Sequence, residues 1–367
     1  MTNGIVTGGS EPGETGRPPE AGAGSLEIET LSGERGPEWD AFVRGAEWAS
    51  FCHLSGWREI LGDVLGHECL YRVAVDADGG WHGVLPLVRV HSRIFGHFLL
   101  SMPFLNYGGA LGSLEAVGLL SEDAIRIASD SGAELLELRN RGHDPPGALT
   151  KAERKITVVL ELPDDSELLW KDGLKAKVRS QVRRPMKEGM TTRFGADQVA
   201  PFYSVFTRNM RDLGTPVLPG AFFERIAEVF PEEAEFGCVY LGDEPVAAGC
   251  GFRWGSEFEM TWASSLREHN RSAPNMLLYW AFMERMIGQE LTAFNFGRCT
   301  PGSGTHRFKS QWGGRDEALP WGQWALGGVS ETPNPDRPLF RMATKVWSRL
   351  PLSVANRAGP FLARRLP

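Results

Sequence analysis

The first half of the chain carries closely spaced segments in which apolar and polar residues alternate with the two-residue period of a β-strand. A first strand is predicted at 25–30, and two segments with helical spacing follow it, at 38–48 and 55–65. Three alternating segments then come one after another with turn residues between them, which predicts an antiparallel meander. The strands of this meander lie at 70–76, 81–92 and 95–103. A predicted helix at 114–131 and a strand at 132–139 complete the half.

The second half repeats this order of elements. Its meander is predicted at 236–243, 244–254 and 257–264, followed by a helix at 275–289 and a strand at 290–298. In both halves the last strand begins near a Glu-Leu pair and ends at an arginine, Arg139 or Arg298. This order fits a duplicated α+β domain of the GNAT acyltransferase kind, and two unrelated α+β domains are the alternative.

Length and composition set the domain boundaries. A chain of 367 residues is about twice the usual size of one domain. We expect a disordered tail over 1–24, an N-terminal GNAT-like domain over 25–160, a C-terminal GNAT-like domain with a catalytic loop over 161–330, and a basic amphipathic helical extension over 331–367. The tail is rich in Gly, Pro, Glu and Thr and lacks the apolar core of a signal peptide.

Charge and cysteine usage narrow the class of protein. A formal charge of −7 argues against a protein that coats nucleic acid, although it permits a local basic groove. The five cysteines are scattered and form no CxxC pair, so we expect reduced thiols, no metal site and a cytoplasmic location. No apolar run is long enough to span a membrane. We expect a monomer.

A basic stretch joins the two halves. Residues 169–193 contain eight Lys and Arg against two acids, and their spacing predicts a helical segment that Pro185 should kink or end. One side of it carries Lys175, Arg179 and Arg183, and such a face attracts phosphates of tRNA or of a diphosphate-linked acceptor. The candidate phosphate-binding residues of this stretch are Lys177, Arg179 and Arg183. The opposite side is apolar, with Leu174, Val178, Val182 and Met186. A solvated helix face is the alternative for these charges.

A glycine-rich loop follows the last strand of the second half and carries the lysine on which the chemistry depends. Residues 294–314 read FNFGRCTPGSGTHRFKSQWGG. Gly302, Ser303 and Gly304 allow the backbone to approach a ligand closely, and Lys309 supplies a positive charge. Aminolysis of an activated ester passes through a tetrahedral oxyanion, which a fixed positive group stabilises. A solvated loop lysine is the alternative.

Five segments in this order carry a resemblance to a known family: GVLPL, MPFLNYGG, KVRSQVRRPMKEG, NMRDLGTP and NFGRCTPGSGTHRFKSQWGG. Together they resemble the FemAB/FemX family of peptidyltransferases, and most closely its exosortase-associated bacterial branch. The resemblance covers the chain from about Leu26 onward. It implies two GNAT-like domains and transfer of an aminoacyl group from aminoacyl-tRNA to an amine of a cell-wall precursor or of a small metabolite. It implies no cofactor, with aminoacyl-tRNA as the co-substrate.

The resemblance also implies roles for individual residues. The pair Phe308 and Lys309 matches a Phe-Lys pair that is thought to bind the donor end and stabilise the oxyanion, and Arg211 matches an arginine that helps to bind the phosphates of the acceptor. Arg211 also suits the dipole at a helix end, which is an equally good explanation. The remaining candidate substrate-binding residues are Asn106, Tyr107, Arg298, Ser303, Gly304 and His306. For Asn106 and Tyr107 a turn at a strand end explains the residues as well.

The sequence departs from the family at Asn295 and shows no evident general base. Asn295 stands where many relatives have Asp before Phe-Gly, so any role of that carboxylate is lost. No general base is evident, since His306 also fits an ordinary loop histidine.

Two other function classes are weighed against aminoacyl transfer. An acyl-CoA-dependent N-acyltransferase normally has a glycine-containing loop before a helix, where backbone N–H groups hold the pyrophosphate. The corresponding segment here, 265–280, has no glycine. The second alternative is a non-catalytic assembly protein of a polysaccharide or exosortase locus. The C-terminal piece 338–367 has six bases and no acid, and it either contacts anionic lipid or covers its own domain.

Overall fold

The computed structural model describes residues 25–92, 95–328 and 338–366, so the predicted disordered tail lies outside the described residues. The first half and the link that follows it contain, in chain order, β1 Glu27–Thr30, α1 Gly36–Gly45, α2 Gly56–Glu59, β2 Glu68–Val75, β3 Trp81–Ser92, β4 Gly96–Leu100, β5 Leu111–Gly112, α3 Leu114–Asp130, β6 Leu135–Leu138 and β7 Thr150–Glu161. Helix α2 continues directly into a π-helical turn at Ile60–Val64. The predicted elements of this half are confirmed, and β5 and β7 are additions.

The second half repeats the order that the sequence predicts. It contains α4 Ser166–Leu168, α5 Ala176–Lys187, β8 Thr191–Phe194, α6 Val199–Leu213, α7 Gly220–Val229, β9 Ala234–Leu241, β10 Glu244–Trp254, β11 Glu257–Ser265, α8 Pro274–Ile287, β12 Ala293–Cys299, α9 Gly304–Ser310, β13 Arg315–Ala325, α10 Pro338–Trp347 and α11 Leu352–Ala363. The second meander, β9 to β11, is confirmed.

The basic stretch needs two corrections. It is not helical throughout, because Leu174 and Lys175 are extended between a π-helical turn at Leu169–Gly173 and α5, and strand β8 begins at Thr191. Gly189 has φ +80°, a left-handed conformation suited to glycine, and it ends the helical path. Met186 does not line the apolar side, since its side chain is 50% exposed and Pro185 is buried instead.

The strands of the described residues form one continuous sheet. Its order is β1-β2-β3-β4-β6-β13-β7-β12-β11-β10-β9-β8, with β5 paired to β3. Strand β13 pairs with β6 of the first half and also with β7, and β7 pairs in turn with β12 of the second half. The two halves are therefore joined by backbone hydrogen bonds across β7 and β13.

Each half contains one parallel pair of strands connected by a helix. In the first half β4 pairs with β6 around α3, and in the second half β11 pairs with β12 around α8. The pairing of β11 with β12 ends at Glu259 and Asn295, and the two strands separate beyond that point. Backbone groups and side chains at such a separation are left available to a ligand, so the split directs attention to the ends of these strands.

Aromatic side chains pack the two halves against each other. Phe51 stacks on Phe252 with the ring centroids 4.2 Å apart, and Trp57 lies 5.0 Å from Phe230. All four side chains are buried in one core cluster. This shared core fixes the position of the first half relative to the strand ends of the second half.

The C-terminal extension packs against the second half with part of its own surface, and the rest of its surface is exposed. Helix α11 buries Ala355 and Ala363, while α10 exposes Met342 and Val346 by about 60% each. No helix within the described ranges has both the length and the apolar composition needed to cross a bilayer.

Candidate active site

Lys309 lies in the short helix α9, and its side chain is buried. The helix begins after Ser303, whose hydroxyl accepts a hydrogen bond from the backbone N–H of His306 at 3.1 Å. The side chain of Lys309 is 5% exposed, and its Nζ donates to the carbonyl oxygens of Gly297 at 2.6 Å and Arg298 at 3.0 Å. It is therefore not a solvated loop lysine.

Burial lowers the pKa of Lys309 from 10.5 to about 8. The folded chain releases this proton at a lower pH than the unfolded chain does, so the contribution of Lys309 to stability rises as the pH increases from about 8 towards 10.5. At neutral pH the side chain is mostly an ammonium ion in an environment with little water. A charge in such a place acts strongly on any charge that develops nearby.

Gly297 allows a strand, a loop and a helix to supply groups to the same place. Its φ of +72° lies in the left-handed region, and the pairing of β12 with β7 shifts register there. A Cβ at Gly297 would lie 2.8 Å from the carbonyl oxygen of Met260, 3.3 Å from Asn106 Nδ2 and 3.8 Å from Lys309 Nζ. Any side chain at this position would therefore enter the space between Asn106 and Lys309.

Glu259 supplies a buried carboxyl group to this place. It is 2% exposed, and its Oε1 accepts hydrogen bonds from Asn106 Nδ2 at 2.7 Å and Thr261 Oγ1 at 3.1 Å. Its Oε2 is buried without a hydrogen-bond partner among the described residues. Burial raises the pKa of Glu259, and the neighbouring carboxylate of Glu257 raises it further. A carboxyl with one free oxygen close to a buried ammonium can accept a proton from a substrate amine.

Asn106 and Tyr107 reach the site on a constrained loop of the first half. Both are buried, and in the same loop Met102 and Phe104 have positive φ values of 58° and 70°. The guanidinium of Arg139 holds this conformation by donating to the carbonyl oxygens of Met102 at 3.1 Å and Leu105 at 2.9 Å. Both halves therefore contribute to the site.

Asn295 connects the site to its surroundings. Its Nδ2 donates to the hydroxyl of Tyr107 at 2.9 Å and to Glu257 Oε1 at 3.0 Å, while its Oδ1 accepts from the Gly297 backbone at 2.9 Å and from the Thr157 hydroxyl. An aspartate would remove both donors. From the sequence alone, Asn295 is noted only as the loss of a carboxylate that many relatives have. In the structure, the surrounding groups need both a donor and an acceptor at this position, and an amide side chain supplies both.

We expect Asn295→Asp to lower the free energy of unfolding by about 2–4 kcal/mol near neutral pH, because a carboxylate would face Glu257 without a proton to share. The loss should shrink as the pH falls, because protonation restores a donor. Urea denaturation at several pH values measures this. Asn209→Asp, which loses one bond at a half-buried position, is the control and should cost about 1 kcal/mol or less. Equal losses for both variants would contradict the role of Asn295.

Arg298 lies beside the ammonium of Lys309 and stacks on a tryptophan. Its guanidinium is 5.0 Å from the ring centroid of Trp321, and Arg139 lies at 5.0 Å from the same ring. Burial, and then the charge of Arg139, lower the pKa of Arg298 to about 10. The structure therefore brings four of the predicted residues together: Lys309, Asn106, Tyr107 and Arg298.

The other predicted residues of the glycine-rich loop support helix α9. His306 pairs through Nε2 with Asp316 at 2.9 Å, and Phe308 packs edge-on against Tyr279 at 5.0 Å. Gly304 is the first residue of the helix and is exposed. Their roles in substrate binding stay predictions.

Arg211 is engaged by the C-terminal extension. Its Nε donates to Asp212 at 2.6 Å, and its terminal nitrogen donates to the carbonyl oxygen of Leu350 at 3.0 Å. Leu350 lies in the turn between α10 and α11. The structure thus gives Arg211 a partner within the chain, and acceptor binding by Arg211 stays a prediction.

The three predicted cations of helix α5 differ in what they contact. Arg179 donates to the carbonyl oxygens of Trp170 and Lys171 at 3.1 and 2.9 Å, and also to that of Leu174, so it closes the turn that precedes the helix. Arg183 lies 5.1 Å from the ring of Trp170. Lys177 is exposed. Phosphate binding by these three residues stays a prediction. Arg179 already donates to backbone carbonyl oxygens of the chain itself.

Comparisons with known proteins identify the fold. Residues 175–310 match the family described as an acetyltransferase (GNAT) domain. Among solved structures, FemX is 15% identical with a TM-score of 0.58, covering 87% of this chain and 100% of that chain. The C-terminal domain of a putative lysylphosphatidylglycerol synthetase from Agrobacterium fabrum is 13% identical with a TM-score of 0.54, covering 85% and 96%. A tandem GNAT protein from the clavulanic acid biosynthesis pathway is 12% identical with a TM-score of 0.52, covering 84% and 100%.

No curated protein matches the chain in sequence. The order of elements, the parallel strand pair in each half and these similarities confirm the predicted α+β fold of two GNAT-like domains. The link to the exosortase-associated branch stays a prediction. The chain therefore has a tandem GNAT-like fold similar to that of FemX.

Proposed function

We propose that this protein is an acyltransferase that moves an aminoacyl group from aminoacyl-tRNA to an amine. The observation that carries this proposal is that two buried ionisable groups are held around Gly297, at the split between β11 and β12. The ammonium of Lys309 bonds to the carbonyl oxygen of Gly297, and Asn106 holds the carboxyl of Glu259, whose Oε2 has no partner among the described residues. An ammonium suits the oxyanion of acyl transfer, and a carboxylate suits the proton of the attacking amine.

The reaction divides between these two residues. The acceptor amine attacks the ester carbonyl carbon, a C–N bond forms, and the carbonyl oxygen becomes an oxyanion that the ammonium of Lys309 stabilises. Glu259 accepts the proton that the amine loses. When the ester C–O bond breaks, Glu259 returns a proton to the ribose oxygen, which leaves as a hydroxyl. Asn106 orients the carboxyl of Glu259 through its 2.7 Å hydrogen bond.

The N-terminus of helix α8 argues against coenzyme A as the donor. In an acyl-CoA enzyme of this fold, free backbone N–H groups before this helix hold the pyrophosphate. Here the N–H of Ser272 bonds to His269 O at 2.9 Å, the N–H of Ala273 bonds to Asn270 O at 3.2 Å, and Pro274 has no N–H. Ala273 also has a φ of +56°, a left-handed conformation that glycine adopts more easily than alanine. The turn before α8 therefore differs from a glycine-containing loop that holds a pyrophosphate.

A donor with many phosphates suits helix α5 better. Its exposed Lys175 and Lys177 point to solvent, and Arg183 is exposed as well. Such a face binds an RNA backbone through charge, with a strong dependence on salt. The acceptor, an amine of a cell-wall precursor or of a small metabolite, is left open by this proposal.

The donor is tested by direct binding. We expect the purified protein to retain charged bulk tRNA on filters at low salt and to show no saturable binding of radiolabelled acetyl-CoA in equilibrium dialysis. Lys175→Gln/Lys177→Gln should weaken tRNA binding and reduce its salt dependence by about two released counterions. Saturable acetyl-CoA binding without tRNA binding would establish the acyl-CoA alternative, and binding of neither would contradict the proposed donor.

A matched variant separates the helix α5 face from overall charge. Arg126→Gln/Arg225→Gln removes two charges from an exposed position on α3 and a partly exposed position on α7. We expect this variant to bind tRNA as the unchanged protein does. Equal losses for the two double variants would mean that tRNA responds only to net charge.

A further inference from the structure

A cavity of about 700 Å³ lies away from the strand split, and cationic side chains dominate its lining. It is formed where β2 begins, where β3 and β4 meet, where α3 ends and where the C-terminal extension ends. Its volume falls in the range of small-molecule sites. The charged and imidazole groups in its lining are Arg89, Arg364, Arg365, His67, His91 and His97, with Glu68 as the one carboxylate of the lining.

Three nitrogen atoms of the lining residues have no hydrogen-bond partner among the described residues. Nε of Arg89, Nε2 of His67 and Nε2 of His97 are each buried without a hydrogen-bond partner among the described residues. Glu68 pairs with another nitrogen of Arg89 at 2.8 Å and leaves this Nε unsatisfied. Buried polar groups in folded proteins are nearly always satisfied by protein, water or a ligand. All three residues line the same cavity, and a bound group rich in oxygens is the partner that their nitrogens lack.

The charges give the sign of that group. The lining holds three guanidinium groups against one carboxylate, a formal surplus of two positive charges before the imidazoles are counted. The arginines also repel further positive charge in the lining. Burial and then Arg364 lower the pKa of His67 to about 4, and burial and then Arg89 and His91 lower the pKa of His97. A bound anion would relieve this repulsion, whereas Glu68 alone does not.

We infer that this cavity binds the diphosphate group of a small molecule. A diphosphate carries at least two negative charges, and its oxygens accept hydrogen bonds from guanidinium and imidazole nitrogens together. A cavity of about 700 Å³ accommodates a small molecule but not the wide backbone of an RNA helix, which favours a small ligand over tRNA. The inference does not depend on the proposed aminoacyl transfer.

Such a ligand would also fasten the C-terminal extension to the first half. Arg364 and Arg365 follow helix α11, which packs on the second half, whereas Arg89 and His97 belong to β3 and β4 of the first half. A single anion between these groups would bridge the two. Binding should therefore raise the thermal stability of the whole chain.

The test uses isothermal titration of the full chain with inorganic pyrophosphate, and with inorganic phosphate for comparison. We expect one pyrophosphate per chain, weaker binding of phosphate, and a rise in the melting temperature with pyrophosphate. Arg364→Ala/Arg365→Ala should weaken pyrophosphate binding by about 10-fold or more. Arg349→Ala/Arg357→Ala removes the same charge from exposed positions of the same extension and should change binding by no more than about two-fold.

Each other outcome would overturn the inference. The first is that the chain binds no pyrophosphate at millimolar concentration. The second is that the two double variants lose the same amount of pyrophosphate affinity. The third is that Arg364→Ala/Arg365→Ala loses binding of tRNA and keeps binding of pyrophosphate. Arg89→Met tests the same cavity from the first half if the double variant fails to fold. Because the readout is binding of pyrophosphate, failure here leaves the donor experiment with tRNA unaffected.

Discussion

Lys309→Met should lower the single-turnover rate of aminoacyl transfer by about 100- to 1000-fold, roughly 3–4 kcal/mol of transition-state stabilisation. Methionine keeps the length of the buried stem and removes the charge. Binding of the substrates should largely survive, because the ammonium acts on charge that develops during the reaction. Lys309→Arg should rescue poorly, since a planar guanidinium does not replace a compact ammonium held by two carbonyl oxygens.

The pH dependence of the rate shows whether the protonated form of Lys309 is the active one. Because the pKa of Lys309 is lowered to about 8, the rate of the unchanged protein should fall as the pH rises above about 8, and Lys309→Met should lack this fall. A melting curve is the control. The variant no longer buries an ammonium but leaves two carbonyl oxygens unpaired, and we expect these effects nearly to offset. A fully active, normally stable variant would show that Lys309 only braces the loop.

Glu259→Gln should lower the same rate by about 100- to 10,000-fold, the usual contribution of a positioned general base. Glutamine keeps the size of the side chain and an oxygen for Asn106, but it cannot accept a proton. The unchanged protein should lose activity as the pH falls through the raised pKa of Glu259, because the protonated carboxyl is no longer a base. The variant should not show this loss.

Glu284→Gln is the matched control for Glu259. Burial also raises the pKa of Glu284, but this residue lines a separate cavity against β8. Its replacement should leave the rate within about two-fold of normal. If Glu259→Gln kept both the full rate and the low-pH loss, the proton would have to leave through the substrate or water.

The sequence predicts most of the elements because their patterns are local. Both meanders, helices α3 and α8 and the strands that follow them have regular periods and turn residues between them. Strands β7 and β13 are less evident. The first begins with the charged run TKAERK, and the second contains Pro320 and Gly322, which interrupt the alternation. Their partners lie far away in sequence, so no local pattern announces the pairing.

The site is only partly predictable for a related reason. Lys309, Asn106 and Tyr107 lie in recognisable motifs. Glu259 lies in the strand sequence EFEMTW, where an acid at an alternating position is normally taken as a solvent-facing residue. Asn106 of the first half contacts Glu259 on that face of the strand, so the acid is buried where the two halves meet. The sequence signal for a buried acid at Glu259 is that its strand, β11, follows the two apolar strands β9 and β10.

The pairing of β13 with β6 has a consequence for biosynthesis. The ribosome delivers the first half long before β13 is made, so during translation the edge of β6 has open backbone groups and the first half cannot complete its sheet. Unpaired strand edges invite association with other chains. We therefore expect nascent chains stalled before β13 to aggregate or to engage chaperones, and chains released after β13 to fold without this hazard.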